Sequence, residues 1–208
     1  MKLALFGATG TIGSRIFREA LQRGHRITVI ARNPSCFHTK ELQVQVVKGD
    51  VLDPINVAHT VKGHDAVLSA IGPGASTIVG AAHSLLKGLQ KAGVKRLVVV
   101  GGAGSLEFEP GKLFVDAPNF PAEYLDQARG GCEALNIYRQ NKSLDWTFVS
   151  PAVWITPGER TGKFRLGSDR LLVGSNGESR ISAEDFAVAF LDEVENPRHI
   201  RGRFTVAY

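Results

Sequence analysis

The stretch FGATGTIG at residues 6–13 constrains the fold of this chain more than any other. The apolar run 2–6 reads as a strand and leads straight into glycines at 7, 10 and 13. A helical pattern follows at once, with Ile12, Ile16, Phe17, Ala20 and Leu21 on one face. A strand that turns tightly into a helix presents unpaired N–H groups at the positive end of that helix, where a phosphate is stabilised. Glycines let the backbone turn sharply and approach a pyrophosphate with no Cβ in the way. A glycine-rich turn without a ligand is the alternative, and the rest of the chain decides between them.

The same rhythm repeats. Apolar runs at 27–30, 44–47, 66–69, 97–100 and 146–149 read as further strands, nearly continuous in Val, Ile and Leu, as expected for a sheet covered by helices on both faces. Between them lie amphipathic patterns. Ile78, Val79, Ala82, Leu85, Leu86 and Leu89 share one face, and Phe120, Tyr124, Cys132, Leu135 and Tyr138 share another. Gly24 and Gly93 fall where a left-handed residue would end a helix before the next strand. Repeated strand–helix–strand units predict a doubly wound, mostly parallel Rossmann-type α/β sheet with right-handed crossovers. In that context the glycines of 7–13 bind a dinucleotide, with Gly7, Thr9, Gly10, Thr11, Ile12 and Gly13 as the cofactor loop.

Two further strand ends face the same cleft. An acidic residue about 20 positions beyond the glycines would hold a ribose 2′-hydroxyl, but Arg32 stands there. Its guanidinium suits a 2′-phosphate, which favours NADP over NAD, with a solvated surface arginine as the plainer reading. Ser35 and Lys40 are candidate helpers. After the third strand, Asp50 either accepts a hydrogen bond from an adenine amino group, with Val51 packed on the ring, or is a turn aspartate. After the fourth, the small residues of Ala70-Ile71-Gly72-Pro73-Gly74 let the cofactor pass, or form a plain loop.

Residues 151–183 break the rhythm, being rich in Gly, Pro and basic side chains, and read as a loop-rich, substrate-side segment with short strands. Trp154 can stack on a planar ring or anchor this segment. Arg160, Lys163, Arg165 and Arg170 either attract an anionic substrate or are solvated. Ser182 opens a capping-box pattern for a last helix through about residue 195, and 203–207 reads as a final strand.

The bulk properties fit one domain over the 208 residues. A chain this long buries roughly 70% of its unfolded surface without disulfides or metal. The formal charge of +5 is dispersed, with no basic run of the kind that binds nucleic acid. No apolar stretch is long enough for a membrane span, and nothing resembles a signal peptide. Cys36 and Cys132 form no paired motif, which predicts a reduced, cytoplasmic protein. The histidines show no metal-ligand spacing, so no metal site is expected.

With these motifs in place, the chain resembles the atypical branch of the short-chain dehydrogenase/reductase superfamily. It is most similar to the small NAD(P)H-binding group that includes flavin reductase/biliverdin-IXβ reductase-like proteins and NADH-flavin reductases. The resemblance is carried by FGATGTIG, ARNP, KGDVLDP, SAIG, VVVGGAGS, SLDWTFVSPA and ISAEDFAVAFLDEVENP, which together span nearly the whole chain. It implies a Rossmann fold and a nicotinamide cofactor, and says much less about substrate. In typical members of the superfamily a Ser after the fifth strand and a Tyr-x-x-x-Lys pair protonate a carbonyl. Here Ser105 and Tyr124 match, but position 128 is Ala and Arg129 lies one step further round the helix. The broken pair favours hydride transfer to a planar small-molecule acceptor, a flavin or quinone, whose reduction demands less of a positioned acid. A non-catalytic NADP(H) sensor is the alternative, and an epimerase or dehydratase a third.

Overall fold

The computed structural model describes residues 1–72 and 74–208; Pro73 of the loop singled out above lies outside them. The first half alternates except between its second and third strands, which a short 3₁₀ turn joins: β1 (Lys2–Phe6), α1 (Thr11–Gln22), β2 (Arg26–Ala31), β3 (Val44–Lys48), α2 (Pro54–Val61), β4 (Ala66–Ser69), α3 (Ala75–Ala92) and β5 (Arg96–Val100). A small hairpin, β6 (Glu107–Glu109) and β7 (Lys112–Leu113), interrupts before α4 (Leu125–Gln140) and β8 (Asp145–Pro151). Then come β9 (Trp154–Thr156), β10 (Arg165–Gly167), β11 (Arg180–Ser182), α5 (Ala183–Glu195) and β12 (Gly202–Ala207).

Eight of these strands form the main sheet in the order β10-β12-β8-β5-β4-β1-β2-β3. Every pairing in it is parallel except that of β10 with β12. The order reverses at β1, which pairs with β2 on one side and β4 on the other. In such sheets ligands bind outside the carboxyl ends of the strands beside the reversal.

Alternation along β1 shows how both faces are filled. Leu3 and Leu5 pack with Ile16 and Ala20 of α1 and Phe186 and Phe190 of α5. Ala4 and Phe6 join the opposite layer, with Val57 of α2, Leu85 and Leu89 of α3, and Leu135 and Tyr138 of α4. Gly24 and Gly93 have φ of 76° and 74°, and Gly93 is the C-cap of α3, as the sequence predicts. Ser182 caps α5 by accepting from the Asp185 N–H.

One expectation fails. Phe120 and Tyr124 do not belong to the helix of Leu135 and Tyr138, because α4 begins only at Leu125. Phe120 precedes Pro121, whose ring disfavours helical backbone at the preceding residue. Tyr124 closes a 3₁₀ turn as the N-cap of α4.

Ion pairs tie the irregular segment to the core. Glu19 of α1 is buried and accepts from Arg23 at 2.7 Å and from both Nε and Nη2 of Arg160 at 2.7 and 2.8 Å. Arg23 also reaches Asp192 and Glu195 of α5. Asp185, fully buried, accepts from the Thr161 and Gly162 N–H groups, the Thr161 hydroxyl and the Tyr208 hydroxyl. The Arg160 bond holds the Glu19 carboxyl below its ordinary range; burial opposes this and Arg23 reinforces it.

A depressed carboxyl pKa contributes stability that is complete above the unfolded value and disappears as pH falls through the folded one. The urea midpoint is therefore expected to drop on acidification below about pH 4.5. Glu19→Gln should lower stability near neutrality by about 2 kcal/mol and make the acid branch shallower. Urea titrations across the acid range check both; parallel profiles for the two proteins would refute the assignment.

Candidate cofactor and acceptor site

The cofactor loop is built by close backbone approach. Gly7 has φ of 83°, and a Cβ there would stand 2.2 Å from the Ala70 carbonyl oxygen. A Cβ on Gly13 would stand 2.0 Å from the Gly7 carbonyl oxygen. These two glycines are required by packing whether or not a ligand is bound. Gly10 differs: its nearest neighbour across the loop, the Gly7 carbonyl, would lie 3.5 Å from a Cβ. It is the N-cap of α1, donates to Gly7 at 3.1 Å and offers no side-chain cap. The first turn of α1 contains no acidic residue. The orphan N–H groups and positive end of the helix are thus left for an anion, and a pyrophosphate fits them.

A cavity of about 1000 Å³ opens from this point. It runs from Gly10, Thr11, Ile12 and Gly13 past Ala70 and Gly72 and across Val99–Gly104. It ends between Phe114, Phe120 and Tyr124 on one wall and Trp154 and Ile155 on the other. No Asp, Glu, Lys, Arg or His lines it. Thr9 is exposed and, like Gly7, lies outside the lining.

Arg32, Asp50 and Val51 also lie outside the cavity, on the flank reached from the ends of β2 and β3. Arg32 is exposed and makes no ion pair or side-chain hydrogen bond among the described residues. Asn33 beside it accepts from the Ser35 N–H, and Lys40 is exposed. Asp50 accepts from the Leu52 N–H at 2.9 Å, so one carboxylate oxygen serves the turn before α2. Val51 does not present itself to a ligand: it is 7% exposed and packs in the layer with Ile30 and Val57.

At the reactive end the structure separates the two matched residues. Ser105 is 5% exposed and does not line the cavity. Its hydroxyl donates to the Gly102 carbonyl at 3.2 Å and accepts from Arg203, which is itself paired with Asp169. Both bonds of the hydroxyl are thus to protein groups, and Ser105 sits behind the loop residues Gly102–Gly104 that do line the cavity. Tyr124 does line it and is 55% exposed, free of the core packing that its apolar spacing suggested.

Ala128 lines the cavity where a lysine would stand, and its Cβ would meet a Cβ on Gly104 at 2.8 Å. Arg129 points to Asp116 at 3.1 Å. Trp154 is 59% exposed and lines the cavity with Ile155, its backbone N–H donating to the Ser179 carbonyl at 2.9 Å. The basic residues of 151–183 do not face the cavity: Arg160 is committed to Glu19, Arg165 to the Val173 and Tyr208 carbonyls, and Lys163 and Arg170 are exposed elsewhere. Of the two readings offered for these residues, Arg160 and Arg165 take structural partners, and Lys163 and Arg170 fit the solvated one.

Sequence reasoning missed Phe114, Asn119 and Gln127, all of which line the cavity. The two prolines around Asn119 and Phe120 were the available signal that this stretch leaves the helix and covers the sheet edge. Among the described residues no group of His, Cys, Asp and Glu is arranged to hold a metal, and both cysteines are free. No helix among them is long and apolar enough to cross a membrane.

Comparison with known proteins supports this geometry. A crystal structure from Burkholderia pseudomallei, described as a candidate exported protein, is 50% identical, with full coverage of both chains and a TM-score of 0.93. A candidate epimerase from Bacteroides thetaiotaomicron is 40% identical over all of this chain and 96% of its own, with a TM-score of 0.95. A candidate NADH-flavin reductase from Streptococcus pneumoniae is 34% identical over all of this chain and 99% of its own, with a TM-score of 0.87. A family model described as NAD(P)H-binding matches residues 7–197. With the uncapped α1 terminus and the glycine-tight loop inside that match, the chain belongs to the NAD(P)H-binding family, on a Rossmann-like α/β fold.

Proposed function

We propose that this protein is an NADPH-dependent oxidoreductase that passes hydride to a planar acceptor, a flavin or a quinone. The observation that carries the proposal is the continuous uncharged cavity running from the uncapped start of α1 to a wall of aromatic side chains. The likeness to the Streptococcus protein supports the same class of acceptor.

The residues divide the work. The N-terminal N–H groups of α1 hold the pyrophosphate, and Gly10, without a Cβ, lets it approach. Arg32, exposed and uncommitted, takes the 2′-phosphate of NADP, and Asp50 has one carboxylate oxygen left for the adenine side. Ala70, Gly72 and the Val99–Gly104 segment give a small-residue floor. Trp154 faces Phe120 and Tyr124 across the opening and orients a flat ring. The cofactor supplies a hydride, two electrons and one proton, and the acceptor ring completes its reduction with a proton from water. With Ser105 turned away and Ala128 in the lysine position, the protein's contribution is proximity and orientation more than acid catalysis.

The same missing acid also supports a second reading, a non-catalytic NADP(H) sensor. An epimerase is less well supported, because Tyr124 has no basic partner at 128.

NADPH oxidation should be stimulated by FMN, FAD or small quinones, and no turnover with any of them would favour the sensor. Trp154→Ala is expected to raise the acceptor KM about fivefold while NADPH affinity stays unchanged. Arg32→Ala should weaken NADPH binding about tenfold and leave NADH binding as it is. Titration of both nucleotides against both proteins decides it; equal affinities throughout would remove the role given to Arg32.

A further inference from the structure

The acceptor end of the cavity carries a charge pattern that the choice of a planar ring does not explain. Its walls hold Phe114, Phe120, Tyr124 and Trp154, with Asn119, Gln127 and Thr156 as polar lining side chains near them in sequence and, among the described residues, no ionic group. Phe114 and Phe120 meet edge to face with centroids 5.2 Å apart, so this wall is a packed aromatic surface. The segment 113–127 that builds it contains three charged residues, Asp116, Glu123 and Asp126, and no basic one.

Asp116 is neutralised by Arg129 at 3.1 Å. Glu123 is exposed and unpaired among the described residues, two positions from Pro121 and one from Tyr124, both of which line the cavity. Asp126 accepts from the Ala75 N–H at 3.3 Å, placing a carboxylate on the first turn of α3. The positive end of α3, beside cavity-lining Ile78, is therefore already answered by a fixed negative charge. Arg129, which follows this segment on α4, is engaged by Asp116 and forms no ion pair with Glu123.

Resting on the reductase reading above, we infer that the site selects uncharged acceptors, a neutral quinone or an isoalloxazine ring without a phosphate, and that Glu123 and Asp126 enforce the choice. An anionic substituent at the mouth meets the unpaired Glu123 carboxylate and, at the start of α3, a helix end that Asp126 already answers. One carried deeper loses its hydration against a wall that offers no counter-charge.

Riboflavin and FMN share one ring and differ by a phosphate, so they isolate this term. In titrations of the NADP⁺-loaded protein followed by flavin fluorescence at low ionic strength, riboflavin is expected to bind at least about fivefold more tightly than FMN. The ratio should shrink on adding salt and in the Glu123→Gln and Asp126→Asn variants; Glu123→Lys, at an exposed position, should reverse part of it. FMN binding as tightly as riboflavin, or neither flavin binding, would overturn the inference. Steady-state NADPH oxidation with a neutral naphthoquinone and its sulfonated analogue gives the independent arm. Turnover of neither quinone, with the riboflavin preference intact, would sink the reductase reading and leave the pocket's selectivity standing. Equal kcat/KM for both would sink the selectivity alone.

Discussion

The crossing of three backbone segments at the sheet's reversal point governs everything around it. Gly7, Gly13 and Ala70 meet at distances that leave no room for a Cβ on either glycine. That contact sets the start of α1 against the end of β4, and it aims the unpaired N–H groups of the helix along the cleft. A side chain at 7 or 13 would push the helix off the sheet before it affected any ligand. The loop is a packing device first, and its capacity to hold an anion follows from how tightly it is packed.

What the sequence reveals follows from where the determining forces act. Strands of the central sheet are legible because burial on both faces demands continuous apolar runs, as in Leu3–Leu5 and Leu97–Val99. The final helix is legible because Ser182 and Asp185 sit one turn apart. Phe120 and Tyr124 mislead because helical spacing of apolar residues also arises in a segment that folds over a cavity mouth. Ser105 misleads for another reason: its orientation is decided by Arg203, 98 residues away. The role of Arg160 depends likewise on Glu19, at a separation of 141 residues. Local pattern carries no record of such pairings.

Several of this protein's buried and half-buried charges serve architecture. Arg23, Arg160 and Glu19 join α1, α5 and the irregular segment. Arg96, mostly buried, reaches Glu193 and the Thr147 hydroxyl and locks α5 to β5 and β8. A chain of formal charge +5 nonetheless has, among its described residues, a cavity with no ionic side chain in its lining. Net charge is a poor guide to the chemistry of a cleft when ion pairs remove most of it from the surface that matters.

The two walls of that chamber belong to opposite layers of the sandwich. Trp154 and Ile155 hang from the α1–α5 side, through β11 and the Asp185 and Glu19 anchors. Phe120 and Tyr124 hang from α4 on the other side. The cavity mouth thus lies between the two halves of the molecule, at the carboxyl ends of the strands. The width of the cavity mouth is therefore set by how the two helical layers are spaced, and a change in either layer's packing alters what the cavity can admit.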